Sequence, residues 1–266
     1  MTDRAGDIPR QAGSRLFGHD AAAYDEARPG YPAWVFDDID QERALAGASV
    51  LEIGPGTGQA SRELIRRGAA QLTLVEPDTR LHPVLESGLN GTNVEVLGTR
   101  FEDEGLPLRH YDVIVAATSF HWLDQASALA LTRSLLAGGG VAALAWNTFQ
   151  ALGATDRFHD ATVHILAPLS RGPSETKRLP FPLEDSARAA DARDAGFSRV
   201  SHRHETWTLT LDPAGVRRLY GSSSNLLRLP SDEREAVLAE LERIAATEFG
   251  GRVERNMTTS LYLYSG

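Results

Sequence analysis

The sequence predicts an α/β fold, a three-layer sandwich of helices on a mostly parallel sheet, and three observations predict it. Val50-Leu51-Glu52-Ile53 reads as an apolar strand that ends in an acid and runs into Gly54-Pro55-Gly56-Thr57-Gly58-Gln59, a glycine turn with a helix directly behind it. From there to Trp146, strand-like and helix-like segments alternate, the signature of βαβ units. A chain of 266 residues with 42% hydrophobic content is long enough to bury a full core as one α/β domain with insertions.

Each element follows from local pattern. Leu72-Thr73-Leu74-Val75-Glu76-Pro77-Asp78 is a second buried strand ending in an acid, and Asn93 to Leu97 a third, followed by the turn Gly98-Thr99-Arg100-Phe101-Glu102-Asp103. Tyr111-Asp112-Val113-Ile114-Val115-Ala116-Ala117-Thr118 is the fourth strand, and Ser119-Phe120-His121-Trp122-Leu123-Asp124 is its loop. A helix from Gln125 to Ala137, a break at Gly138-Gly139-Gly140 and a fifth strand from Val141 to Trp146 complete the alternation, with Asn147 at that strand's end. Beyond it, Thr155 to Leu166 has helical spacing, and Pro168, Gly172, Pro173, Pro180 and Pro182 punctuate a long connection of the kind that covers binding sites. Helices are expected over Ser186 to Ala195, stopped by Gly196, over Pro213 to Tyr220, and over Ser231 to Phe249 with Ser231 as N-cap. Strands are expected over Phe197 to Leu211 and Asn256 to Tyr264.

The glycine turn suits a nucleoside-containing ligand, because glycine admits positive φ and lets backbone approach without a Cβ in the way. A dinucleotide site wants G-x-G-x-x-G; here the third glycine comes one position early. Glu52 near the turn repels a pyrophosphate but attracts an amino group. Glu76, roughly twenty residues beyond the turn, stands where such folds place a ribose-binding carboxylate.

The acid followed by G-x-G-x-G, together with the Tyr-Asp opening of the fourth strand and Phe120-His121-Trp122, resembles the class I S-adenosylmethionine (SAM) methyltransferases of bacterial small-molecule type. Phe17-Gly18-His19-Asp20 through Tyr24-Asp25-Glu26-Ala27-Arg28-Pro29-Gly30-Tyr31-Pro32 resembles the cap that precedes the core in that group. The resemblance implies a Rossmann-like sandwich with a seven-stranded sheet in the order 3-2-1-4-5-7-6, only strand seven antiparallel. It places the cap over 15–46, the SAM-binding core over 47–147, an acceptor-covering insertion over 148–195 and completion of the sheet over 196–266, while the polar, Gly-containing start is expected to be a disordered or flexible tail over 1–14.

The resemblance also implies roles. Glu52, Gly54, Gly56 and Gly58 hold the methionine end; Glu76, with Pro77 beside it, takes the ribose hydroxyls. Phe101 and Glu102 contact the adenine, whose exocyclic amine goes to Glu102 or Asp103. Ala117 and Thr118 flank the sulfonium, and from the cap Arg28 offers a donor fork to the SAM carboxylate while Tyr24 or Tyr31 offers a hydroxyl and a ring face. On the acceptor side, His121 is the candidate base, with Phe120, Trp122, Trp146, Asn147 and Tyr220 as substrate contacts. The activity implied is methyl transfer to O, N or C of a small molecule in specialised-metabolite biosynthesis. A SAM-binding sensor without transferase activity shares every cofactor residue, and a nicotinamide oxidoreductase shares the strand-turn-helix but not the glycine spacing.

Composition narrows the partners. A net charge of −9 argues against a nucleic-acid substrate, and the absence of cysteine removes disulfides, thiolate catalysis and Cys-ligated metals. No apolar run approaches bilayer length, so a soluble, cytoplasmic protein is expected, and the N-terminal segment is one that subunits of a homo-oligomer could exchange. His202 and His204 share a strand face, but the sequence shows no third ligand at a telling spacing, and His159 and His164 miss the four-residue helical spacing of zinc sites. No metal is assigned.

Overall fold

Continuous burial of short β-rich runs fixes the centre of the fold. The computed structural model describes residues 21–89, 93–103, 110–149, 155–169 and 179–266. In chain order, its helices and strands are α1 (Ala21–Ala27), α2 (Ala33–Glu42), β1 (Ser49–Ile53), α3 (Gln59–Arg66), β2 (Gln71–Val75), α4 (His82–Ser87), β3 (Asn93–Leu97) and β4 (Tyr111–Ala117). There follow α5 (Gln125–Leu135), β5 (Leu136–Thr148), α6 (Arg157–Leu166), α7 (Asp185–Asp194), β6 (Arg199–Leu211), α8 (Pro213–Gly221), α9 (Ser224–Leu227), α10 (Ser231–Thr247) and β7 (Val253–Ser265). The strands form one seven-stranded sheet in the order β3-β2-β1-β4-β5-β7-β6.

Within the sheet β1 pairs in parallel with β2 and β4, β2 with β3, and β4 with β5. Every residue of β1 and β2 after the first is buried, as expected for parallel strands covered on both faces. In-register pairing of Ile53 with Val75 and of Val75 with Leu97 brings the carboxyl ends of three strands level. Gly54 N–H donates to the Val75 carbonyl (2.9 Å) and Glu76 N–H to the Leu97 carbonyl (3.0 Å), so the glycine turn and Glu76 leave the sheet side by side.

The chain divides into two compact units. One comprises Gly30–Asn147, Pro180–His204 and Thr259–Gly266, and holds two apolar layers. The first layer packs Val35, Phe36, Ile39, Leu64 and Leu85 on Val50, Leu72, Leu74 and Val113; the second packs Leu129, Leu135, Ala192 and Phe197 on Leu51, Ile114, Leu144 and Tyr262. Each such side chain taken fully out of water contributes about 1.5–3 kcal/mol before entropy is counted. Asp112, second residue of β4, accepts from Ser49 N–H (3.0 Å) and from Arg43, and those two bonds hold its carboxyl below the usual range.

The other unit takes residues up to Pro29, 148–179 and Glu205–Thr258 where they are described. Its core is Phe158, Val216, Leu241, Ile244, Ala245 and Val253. Asp156 caps α6 through His159 N–H (2.7 Å) and pairs with buried Arg255 at 2.9 Å. Arg255 in turn lies 5.6 Å from the ring centres of Phe158 and Tyr220.

Three expectations change. The glycine triplet is not a break: α5 stops at Leu135 and β5 begins at Leu136, with Tyr111 opposite Leu136 but Val113 opposite Val141. The extra residues bulge the strand, which glycines permit. Ser231 is the first helical residue of α10 rather than its N-cap, because Pro230 occupies that place and no side chain caps the helix. Phe197 precedes β6, which starts at Arg199. Phe17 to Asp20, Gly172 and Pro173 lie outside the described residues.

Gly140 carries the bulge. A Cβ there would meet the carbonyl oxygens of Tyr111, Asp112 and Ala137, each at 3.0 Å, whereas nothing lies within 4 Å of a Cβ at Gly138. Gly140→Ala is therefore expected to cost roughly 1–3 kcal/mol in urea unfolding, and Gly138→Ala to change little. Equal effects from the two substitutions contradict this account of the bulge.

Candidate functional site

The turn after β1 uses its glycines for different reasons. A Cβ on Gly54 would lie 2.7 Å from the Ser119 Cβ, and one on Gly58 would lie 2.8 Å from Leu85 Cδ1. Those two positions are closed by packing. Gly56 has φ +61° and nothing within 4 Å of where its Cβ would stand. The turn is thus pressed against protein at its ends and open in the middle, as a backbone must be if a ligand is to reach it.

Two carboxylates attend the turn. Glu52 has no solvent exposure; its Oε2 accepts from Ser61 Oγ at 2.6 Å, and its Oε1 has no hydrogen-bond partner among the described residues. Burial, reinforced by the charge of Glu76 and opposed by the Ser61 hydroxyl and by Arg62, pushes the Glu52 carboxyl up to about 7. Glu76 accepts from Gly56 N–H at 3.0 Å through Oε2 and from Asp78 N–H at 2.9 Å through Oε1. Its carboxyl is also raised by burial, against the pull of those two N–H groups. Pro77 lies between Glu76 and Asp78 in the same bend, and buried Asp78 pairs with Arg80 at 2.6 Å.

At the next turn, Phe101 is buried in the sheet core. Glu102 is engaged at both oxygens, by Arg100 Nη2 (2.9 Å) and by Asp124 N–H (2.7 Å). Asp103 is exposed. Arg100 therefore serves to hold Glu102, and the two acids left open by sequence are set apart by their surroundings.

The end of β4 is strained. Thr118 has φ +56°, the only positive φ outside glycine among the described residues, and a β-branched side chain rarely adopts it. Its N–H donates to the Ala145 carbonyl at 2.7 Å, and its Oγ1 lies 2.6 Å from the hydroxyl of Tyr31. Tyr31 and Thr118, taken from opposite ends of the motif set, thus meet directly.

The acceptor-side residues separate into two groups. Phe120 and Trp146 are almost wholly buried, and Trp146 packs on Phe181 and Tyr262; their rings fill the core. Trp146 Nε1–H donates to His121 Nδ1 at 3.1 Å. An indole N–H can only donate, so the Nδ1 lone pair is occupied and the neutral ring carries its proton on Nε2. In that form His121 presents a donor, not the free lone pair that a general base requires. Trp122 is half-buried, its ring 4.8 Å from that of His121. Asn147 is tied at both ends of its amide, donating to the Gly30 carbonyl (3.1 Å) and accepting from Thr259 Oγ1 (2.6 Å).

Tyr24, Arg28 and Tyr220 belong to the other unit. There Arg28 Nη2 donates to the Ser222 carbonyl at 2.8 Å, and its guanidinium stands 5.2 Å from the Tyr24 ring centre. Tyr220 packs beside Phe158.

Sequence reasoning missed Ser61 and Ser119. Ser61 had a readable signal, a small polar residue on the buried face of α3 between Ala60 and Leu64. Ser119, whose Oγ donates to the Ile53 carbonyl, had none, because only folding brings β4 beside β1.

Residues 50–140 match the family model of a methyltransferase domain. An uncharacterized methyltransferase of Mycobacterium tuberculosis is 29% identical over 237 residues, which cover 88% of this chain and 87% of that one. An uncharacterized methyltransferase-like protein of Schizosaccharomyces pombe is 26% identical over 90% of each chain. The matches support a class I SAM-dependent methyltransferase. The fold of this methyltransferase is also that of the Haemonchus contortus phosphoethanolamine N-methyltransferase 2 (TM-score 0.55, 12% identity, 97% of this chain and 60% of that one).

The turn of the methyltransferase fits the cofactor. A buried carboxylate oxygen without a partner needs a cation or donor, and SAM carries an ammonium; the open face at Gly56 leaves room for it. No helix among the described residues is long and apolar enough to cross a membrane.

The charge state of Glu52 has a consequence for stability. Its carboxyl titrates near 4.5 in the unfolded chain and near 7 when folded, so as pH rises from 4.5 the unfolded state loses the proton first and stability falls until pH 7. Glu52→Gln keeps an acceptor for Ser61 and never ionises. In the ligand-free protein it is expected to add on the order of 3 kcal/mol at pH 8 and almost nothing at pH 4, measured by denaturant unfolding. A uniform effect at both pH values contradicts the burial of an ionisable Glu52.

Proposed function

We propose that this methyltransferase transfers the methyl group of SAM to an oxygen, nitrogen or carbon of a small-molecule acceptor, in specialised-metabolite biosynthesis in the cytoplasm. The observation that carries the cofactor half is the partnerless Glu52 Oε1 at a turn whose middle glycine is open. Bound SAM supplies an electrophilic methyl on a sulfonium. Glu52 accepts from its ammonium, and Gly54, Gly56 and Gly58 keep side chains out of the way. Glu76 keeps acceptor capacity for the ribose hydroxyls, because an ionised carboxylate offers about four acceptor sites and the backbone takes two. Pro77 and Phe101 flank the nucleoside, and Asp103, rather than the doubly engaged Glu102, takes the adenine amine.

For in-line displacement a protein mostly holds two atoms collinear at near-attack distance and excludes water. Ala117 gives room by its small side chain, and Thr118 is held at a fixed, strained angle with Tyr31. His121 acts as a donor from Nε2, with Trp122 beside it as the acceptor contact. Phe120 and Trp146 support the loop from the core. The acidic balance of the chain favours a small or neutral acceptor over nucleic acid.

Two measurements test the reading. Incubation with SAM and candidate acceptors should release S-adenosylhomocysteine with one methyl gained by the acceptor, and calorimetry should show SAM binding that Glu52→Gln weakens at least about tenfold. Unchanged SAM affinity in that variant removes the main support for the cofactor placement.

His121 is tested separately. His121→Gln, which retains a donor, should stay within about tenfold of wild-type kcat/KM with the same pH profile, and His121→Ala should lose more. Loss of the acidic limb from the profile of the glutamine variant would restore His121 as a base.

A further inference from the structure

The two histidines left without a third ligand by the sequence acquire one in the fold. His202 and His204 stand two apart on β6, and Asp185, the first residue of α7, comes up to both. Asp185 Oδ1 lies 2.6 Å from His204 Nε2, and Oδ2 lies 3.3 Å from His202 Nε2. One ligand atom from each residue lies within 4.8 Å of the others. All three residues belong to the same unit.

We propose that Asp185, His202 and His204 form a binding site for a divalent transition metal of the zinc class, distinct from the residues assigned to methyl transfer. Two imidazoles and one carboxylate are a donor set that zinc accepts with one position left to water. At zinc bond lengths of about 2.1 Å, ligand atoms at tetrahedral angles stand about 3.4 Å apart. The His202 to Asp185 separation already has that spacing, and the His204 contact is closer than a metal needs.

The surroundings orient the set. His204 Nδ1 lies 2.8 Å from Ser260 Oγ; when that nitrogen donates to the hydroxyl, the Nε2 lone pair faces Asp185. Two lone pairs then oppose each other at 2.6 Å, a repulsion that a proton or a cation between them relieves. The Tyr262 hydroxyl stands 2.6 Å from Asp185 Oδ1 and fixes the carboxylate. His202 (41% exposed) and Asp185 (38%) give a metal ion access from solvent, while His204 (11%) anchors the set. Fully buried Ser260 is closed to substrates, which leaves the Asp185–His204–Ser260 chain no role as a nucleophile relay.

The test uses the full untagged chain and Zn²⁺ alone. Equilibrium dialysis with metal analysis should find one zinc per chain, with affinity lowered at least about tenfold by His202→Ala and by Asp185→Asn. His202 is an exposed strand residue, so its alanine variant should fold. Zinc should raise the thermal midpoint of the wild type in a concentration-dependent way and leave that of His202→Ala unmoved. In ¹⁵N-histidine spectra, the side-chain signals of His202 and His204 should shift together on titration. No zinc bound, or equal binding and equal thermal response in wild type and His202→Ala, overturns the proposal and leaves the cluster a hydrogen-bonded network.

Discussion

Two carboxylates withdrawn from water govern the carboxyl edge of the sheet. Burying either one is costly unless donors replace the lost solvent, and the local structure is arranged as that replacement. For Glu76 the donors are the N–H groups of Gly56 and Asp78, so the conformation of the turn and of the Pro77 bend are set by one side chain. For Glu52 the described residues supply Ser61, on the first turn of α3, and no partner for the other oxygen. The in-register pairing of β1 with β2 sets Glu52 opposite Leu74, two residues short of Glu76 on the same side of the sheet. A register slip by one residue in either strand would turn its carboxylate to the opposite face of the sheet, away from the donors that hold it.

The same edge stores backbone strain. Positive φ at Gly54, Gly56 and Gly58 is inexpensive, but at Thr118 it costs of the order of 1–3 kcal/mol. That cost is borne because the Ala145 carbonyl, the Tyr31 hydroxyl and the packing of Ser119 on Gly54 together leave the residue no relaxed alternative. The segment Thr118-Ser119 closes onto the glycine turn from β4, as Glu76 does from β2. Strain and unsatisfied charge therefore occur together where parallel strands end, the place such sheets bind ligands.

What the sequence made legible was local. Strand runs, the acid before the turn and the acid ending β2 are each contained in a few consecutive residues, and the seven-stranded order followed from resemblance and stands in the structure. Long-range facts were not legible. The glycine triplet looks like punctuation because a bulge is defined by the partner strand, and only the carbonyl oxygens of Tyr111 and Asp112 show why Gly140 must be bare. Phe120 and Trp146 were named as substrate contacts although such rings fill cores more often than they bind ligands, and both are buried. His202 and His204 lacked a third ligand because Asp185 is far off in sequence and is delivered by the start of α7. Glu102 and Asp103 were indistinguishable until Arg100 and the Asp124 N–H were seen to claim the first.

The aromatic wall behind the loop bears on how acceptors are told apart. Trp146 is fixed by Phe181 and Tyr262, and through its N–H it fixes the ring of His121. A donor aimed by a buried neighbour loses little entropy on meeting its acceptor, and an acceptor molecule lacking the matching atom forfeits that bond. Penalties of this kind discriminate far more strongly than apolar fit, where one methylene is worth about 1–3 kcal/mol. On the proposed reading, selectivity therefore follows the hydrogen-bonding pattern of the acceptor near His121 more than its size. Proton removal becomes a property of the acceptor itself, since the one imidazole in the loop already spends its lone pair on Trp146.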